Sequence, residues 1–175
     1  HVGNHDEFLI LAKDRLAVMP DGTEIVATFF GRDLVAKEYE RWFDFIPVDK
    51  KAWYVIDGDF VTTTDGSGIV HMAPAYGEDD YQASLKYALP MIQALDARGQ
   101  FTDSVPPYSG KFFKAADPEI TADLKSRGLL FKKETYSHSY PHCWRCDTPL
   151  LYYARKSWYI QTADSSIHPT AATTR

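Results

Sequence analysis

The segment from Gly66 to Tyr81, Gly-Ser-Gly-Ile-Val-His-Met-Ala-Pro-Ala-Tyr-Gly-Glu-Asp-Asp-Tyr, restricts the fold more than any other part of the 175-residue chain. Gly66 and Gly68 open a loop, and Ile69-Val70 is a short β-branched run that delivers His71 at its end. Pro74 ends the extended stretch. Three acids, Glu78, Asp79 and Asp80, then occupy what the spacing of Tyr81, Leu85 and Ala88 marks as the first turn of a helix. Negative charge there is favoured by the helix dipole. The helix is predicted over 78–88, with Pro90 closing it. Loops that join rigid elements are where functional groups collect. This one can bring an imidazole and a carboxylate to opposite sides of a small pocket, although a histidine at a strand end and acids in a first turn are also ordinary structural residues.

Around this segment the chain reads as short strands and turns. Phe8-Leu9-Ile10-Leu11 and Glu24–Phe30, separated by the turn signal Pro20-Asp21-Gly22, suggest two neighbouring strands. Gly31 to Phe45 is ambiguous between helix and extended chain. Trp53 to Thr64 suggests a strand pair turning at Asp57-Gly58-Asp59, before the loop Asp65-Gly66-Ser67-Gly68. A second helix is predicted over 118–127, with Asp117 as N-cap, Pro118 at the first helical position and Gly128 as the stop. No internal repeat is found. The expected class is α+β, rich in short strands. One domain is expected over 1–162, and residues 163–175, with little apolar periodicity from Asp164 on, are expected to be an added tail or a frayed end.

The second chemical feature is Pro141-His142-Cys143-Trp144-Arg145-Cys146. Two thiolates at this spacing can share a tetrahedral zinc, but a structural site needs four ligands. His138 and His142 are nearby, at a spacing that fits no standard finger. A redox pair is the competing reading, and the βαβ setting in which such motifs sit is not evident here.

Charge and composition narrow the function classes. A net charge of −5 argues against a surface that grips a long stretch of nucleic acid, since that needs clustered Lys and Arg. It leaves open a pocket that receives one nucleic-acid end. No run of 18 apolar residues is present, so no membrane span is expected. With only two cysteines and no charged-then-apolar leader, a cytoplasmic setting is expected. No Walker loop, dinucleotide fingerprint or nucleophile elbow occurs.

Two segments together resemble one family. Gly68-Ile-Val-His-Met-Ala-Pro74 with Gly77-Glu-Asp-Asp-Tyr81 is similar to the signature of the editing domain of isoleucyl-tRNA synthetases. So is Ser139-Tyr-Pro-His-Cys-Trp-Arg-Cys-Asp-Thr-Pro-Leu150, followed by Ser157-Trp158-Tyr159-Ile160. The valyl and leucyl members share the Gly-x-Gly start and the closing Asp, but usually lack a His at position 71 and the Cys-Trp-Arg-Cys segment. The resemblance covers most of residues 8–162. It implies a β-barrel-like body with surrounding helices, inserted into a class I synthetase core. The implied activity is hydrolysis of valine wrongly attached to isoleucine tRNA. The implied partners are the valine-carrying 3′ end of that tRNA and the remainder of the synthetase; a monomer and no membrane partner are expected.

The resemblance also assigns roles. Asp80 would hold the substrate α-ammonium by a charge-assisted bond. His71 would stand beside the amino-acid side chain and reject isoleucine by bulk, with proton transfer as the alternative role. Ala73, Pro74 and Tyr76 would shape the pocket wall, while Gly66 and Gly68 would let backbone approach the terminal adenosine. A pocket for isoleucine excludes valine weakly, because one methylene is worth only ~1–3 kcal/mol, a general figure for which this family is itself the established example. A second, smaller pocket is therefore needed. No cofactor is expected in this domain. ATP belongs to the synthetase core, whose signature motifs are absent here. Zinc is implied for the full-length enzyme, with Cys143 and Cys146 forming half a site, empty on their own. Two departures matter. The family's Thr-rich segment, roughly Thr-Thr-Pro-Trp-Thr-Leu-Pro, has no equivalent in residues 1–20, so one pocket wall is expected to be missing. The family's second Cys-x-x-Cys is also absent. The alternatives are a different editing specificity, a non-catalytic module that binds the tRNA acceptor end or forms a zinc ribbon, and a β-rich domain whose motif residues are structural.

Overall fold

A computed structural model describes residues 8–64, 66–135 and 139–158. The positions Asp65, His138, Tyr159 and Ile160, and the expected tail 163–175, lie outside the described residues.

Among the described residues, two α-helices carry the fold. The first, α1, spans Glu78–Tyr87 as the sequence predicts, with Gly77 as an extended N-cap. It ends through Ala88 in the left-handed region, where the Ala88 and Leu89 amides both return to the Ser84 carbonyl. Its buried residues are small, Ala83 and Ser84, which lets neighbouring chain lie close.

The second helix, α2, spans Phe113–Ser126, starting well before the predicted Asp117–Pro118 boundary. Pro118 lies inside the helix rather than at its first position, and Phe112 is the N-cap. The physical reason is tertiary. The Phe113 amide is tied to the Gly99 carbonyl at 2.9 Å, and Ala116 in the early turns is fully buried. Such anchoring outweighs the lost amide and ring clash of an interior proline. The predicted stop holds: the Gly128 and Leu129 amides fold back onto Lys125 and Leu124.

The core sits against α2. Val105, Tyr108 and Ala116 are buried, and Phe45, Ile46, Ala94, Phe101 and Ile120 pack around them. The Tyr108 ring meets Phe45 edge-on at 6.4 Å and Phe101 at 5.7 Å. A tight turn feeds this core: the Asp96 carboxylate accepts from the Arg98 and Gln100 amides, and Phe101 pairs back across Lys111 and Gly110.

The described residues hold little strand. Pairing is limited to isolated antiparallel bridges at Glu38–Tyr54, Leu95–Phe101, Gln100–Phe112 and His142–Pro149. The expected pair within Trp53–Thr64 is corrected: residues 53–55 instead pair with 37–39, through the Ala36 amide to Val55, the Val55 amide to Lys37 and the Tyr39 amide to Trp53. The ambiguous segment therefore resolves into a short 3-10 helix, Gly31–Leu34, followed by extended chain. The expected strands at 8–11, 24–30 and 69–70 are rich in apolar side chains but form no strand ladder among the described residues. β-branched and aromatic composition favours extended backbone, yet a strand also needs a neighbouring edge to bond. No helix among the described residues is long and apolar enough to cross a membrane.

Candidate functional site

The segment from His71 to Asp80 folds into a turn closed on itself. The Tyr76 amide donates to the Ala73 carbonyl at 2.8 Å, and the Tyr81 amide to Gly77 at 2.9 Å. Asp80, in the first turn of α1, reaches back so that its Oδ2 accepts from the Ala73 amide at 2.8 Å. This clamps the Ala73–Gly77 loop onto the helix start. A β-carbon on Gly77 would stand 3.0 Å from Asp80 Oδ2, so the carboxylate would have to give by a few tenths of an ångström to admit one. Asp80 is half-buried, so the bond is partly shielded from water. The clamp is the structural role open to this acid from sequence. One carboxylate offers about four lone-pair sites, so one accepted amide leaves capacity for a second donor such as an ammonium.

His71 is exposed, and its ring lies on Trp42 with centroids 5.4 Å apart and planes inclined by 21°. Tyr76 is half-buried. Its hydroxyl accepts from the Ala94 and Leu95 amides at 2.9 and 3.1 Å, which fastens the loop to the core-side chain and leaves the ring as the part able to form a wall. Ala75 is buried, and its carbonyl accepts from the Ala154 amide at 2.8 Å. Ala73 and Pro74 are half-buried beside it.

The glycines serve an approach within the chain. The Ser67 carbonyl accepts from the Ala12 amide at 2.7 Å, and a β-carbon on Gly68 would lie 2.4 Å from that of Ala12. Arg15 crosses the same loop, donating to the Gly66 carbonyl at 2.8 Å and to the Thr64 carbonyl at 2.9 Å. The close packing at Gly68 is thus between two parts of this protein.

Neither cavity described in the structure has His71 or Asp80 in its wall. One, of about 250 Å³, lies between Arg41, Trp53 and the aromatic core; the other, of about 410 Å³, lies along Leu16–Ile25. The structure brings His71, Ala73, Pro74, Tyr76 and Asp80 onto one short turn, with Gly66 and Gly68 on the loop that leads into it. Trp42 is the neighbour that sequence reading missed. It lies in the segment whose conformation was ambiguous, and no spacing rule links it to His71.

Cys143 and Cys146 sit on a separate turn. The Cys143 amide donates to Thr148, the Asp147 amide to Cys143 and the Leu150 amide to Pro141, all at 2.9–3.0 Å. The Thr148 hydroxyl, 3.1 Å from Cys146 Sγ, together with the Thr148 backbone and the Cys143 thiol, holds the Cys146 thiol below its usual range. His142 turns its Nδ1 toward the Tyr140 carbonyl. Among the described residues no group of three or more His, Cys, Asp or Glu side chains could hold a metal. The two thiols therefore do not by themselves fit a four-ligand zinc site.

Comparisons with known proteins agree on one relationship. The chain is 54% identical over 158 residues to the isoleucine–tRNA ligase of Clostridium acetobutylicum, a match covering 90% of this chain and 15% of that protein. It is 46% identical over 159 residues to the enzyme of that name from Streptomyces coelicolor, covering 90% and 15%. The Bacillus thuringiensis counterpart is 46% identical over 154 residues, covering 87% and 15%. The chain thus spans about 15% of the length of the curated relatives it matches. No family model matches it.

Proposed function

Starting from a chain that is homologous to a segment of the isoleucine–tRNA ligases, we propose that this segment is the editing unit, which hydrolyses valine from mischarged isoleucine tRNA. The observation that carries the reading is the fold of the 71–80 turn: one carboxylate, Asp80, is locked at the start of α1 by the amide of Ala73, with the exposed imidazole of His71 at the other end of the same turn. A β-barrel-like body belongs to the same proposal.

In this reading the carboxylate of Asp80 binds the α-ammonium of the aminoacyl ester. That group is common to every candidate substrate, so the contact anchors without selecting. Selection falls to His71, whose ring occupies the space that the extra methylene of isoleucine would need. Water attacks the ester carbonyl, the bond to the ribose oxygen breaks, and valine and the tRNA with its free 3′-terminal hydroxyl are released. The ribose hydroxyl next to the ester can orient that water. In this reading Ala73, Pro74 and Tyr76 border the side chain of the bound ester and Gly66 lies on the loop that the terminal adenosine approaches, whereas Gly68 is already packed against Ala12. The tRNA end and the rest of the ligase are the partners, and ATP chemistry lies outside this segment. Zinc, if bound in the full-length protein, would take Cys143 and Cys146 together with ligands from elsewhere, and no step of the hydrolysis passes through it.

Asp80→Asn tests the anchor. Asparagine retains an oxygen for the Ala73 amide but loses the charge. Deacylation of valyl-tRNA is expected to fall by about ten- to a hundredfold, the range of a lost hydrogen bond to a charged group. A parental rate would remove Asp80 from the mechanism. A second reading is favoured by the same bond, because a carboxylate already engaged by Ala73 can be purely structural: the segment would then grip the acceptor end without hydrolysis. It would show as binding of a CCA-ended stem with no ester cleavage.

A further inference from the structure

We infer that Trp42 is a positioning residue that sets the orientation of His71 and thereby the discrimination between valine and isoleucine; this rests on the editing reading above. An exposed histidine on a loop would ordinarily sample several rotamers, and a steric gate built on it would leak. Here the imidazole lies on the Trp42 indole at 5.4 Å and 21°, within the range of offset-stacked rings. Stacking fixes the plane of the imidazole and leaves its edge to face a ligand.

Trp42 is itself held from the core. Exposure alternates along the extended segment: Trp42 and Asp44 are exposed, while Phe43 and Phe45 turn inward. That alternation places Trp42 on the opposite face from the aromatic anchors. Phe43 stacks on Phe45 at 5.6 Å, and Phe45 meets the buried Tyr108. From the end of α2, Arg127 donates to the Trp42 carbonyl and lies over the Phe43 ring at 5.3 Å, while its other guanidinium nitrogen pairs with Asp123 at 3.1 Å. The position of the gate is thereby referred to the most tightly packed part of the molecule, not to the loop that carries it. About half of the Trp42 surface remains exposed, so the indole is held in place without being part of the core.

Two measurements test this. In proton NMR spectra, the imidazole C–H resonances of His71, identified by their loss in His71→Gln, are expected upfield of ordinary positions because of the indole ring current. Trp42→Ala should return them to ordinary positions, and Trp42→Phe, with a smaller ring, should keep part of the shift. In deacylation assays Trp42→Ala should lower the ratio of valyl- to isoleucyl-tRNA hydrolysis by about tenfold, within the range that one methylene can supply, and Trp42→Phe should restore most of it. Absence of the upfield shift in the parent protein would overturn the stack and the inference with it. A lost shift with an undiminished ratio would overturn the positioning role while leaving the editing site in place. A full-length ligase that stacks the two rings but cleaves no valyl ester would remove the editing reading, and the discrimination role with it.

Discussion

Residues 92–128 carry a smaller share of apolar residues than residues 8–35, yet it is the first region that forms the core. In the first region, Val105, Tyr108 and Ala116 are buried against one another, and the backbone is tied by the Asp96 turn and the start of α2. In the second, Phe8, Ile10, Ile25, Val26, Phe29 and Phe30 are all exposed. That region is held mainly where it meets the 63–68 loop: the Ala12 amide to Ser67, Arg15 to Thr64 and Gly66, and the Thr63 hydroxyl to Asp14. Apolar residues make a core only when the chain supplies a second surface to cover them. The candidate site lies between the two regions, with its loop resting on residues 12–15 and its histidine referred to the packed side through Trp42.

The contrast is broken most directly by truncation in each region. Tyr108→Ala, at a residue only 6% exposed, is expected to cost about 3 kcal/mol in chemical denaturation. Phe30→Ala, at 66% exposure, should stay within about 0.5 kcal/mol. Equal losses would show that the N-terminal region is packed as tightly as the core.

A sharper probe asks whether the seam between region and loop is a real contact. Gly68 has a φ of +76° and its missing β-carbon would overlap that of Ala12. Gly22 has a φ of +84° with nothing within 4 Å of such an atom. Gly68→Ala is expected to cost about 2 kcal/mol, from backbone strain and overlap together, and Gly22→Ala about 1 kcal/mol from the backbone alone. Thermal melts that rank them the other way would show that Ala12 does not lie on Gly68.

The smallest effect is in alkaline titration. Burial pushes the Tyr108 phenol above its ordinary range, aided by the Asp123 and Glu119 carboxylates and opposed by Arg127 and Lys111. A folded value above the unfolded one means that the stabilisation is complete below the ordinary phenol value of about 10 and is lost as pH rises through the folded value. Stability should therefore decline above about pH 10, and Tyr108→Phe should flatten that decline. An identical pH profile in the variant would exclude Tyr108 as its source.

Local chemistry was legible wherever a short-range rule applied. The acids at 78–80, the spacing of Tyr81 and Leu85, and Pro90 marked α1, whose start and end lie where expected. Gly128 marked the end of α2, but Pro118 misplaced its start, because the anchors that extend it, Gly99 and the pocket for Ala116, come from other parts of the chain. Trp53–Val55 was correctly read as extended, yet its partner at 37–39 was not recognised, since composition fixes the tendency to extend but not which edge is met.

The same division applies to the site. Residue order alone placed His71 and the Pro74–Gly77 turn just ahead of Asp80 at the start of α1, and those residues with Cys143 and Cys146 carried the resemblance to isoleucyl-tRNA synthetases. Tertiary structure alone decided that Asp80 clamps Ala73, that the Tyr76 hydroxyl is engaged by Ala94 and Leu95, and that His71 lies on Trp42. The physical reason is range. Caps, turns and dipoles act over a few residues and are written in the local sequence, whereas the direction of a side chain is set by whichever distant surface it packs against.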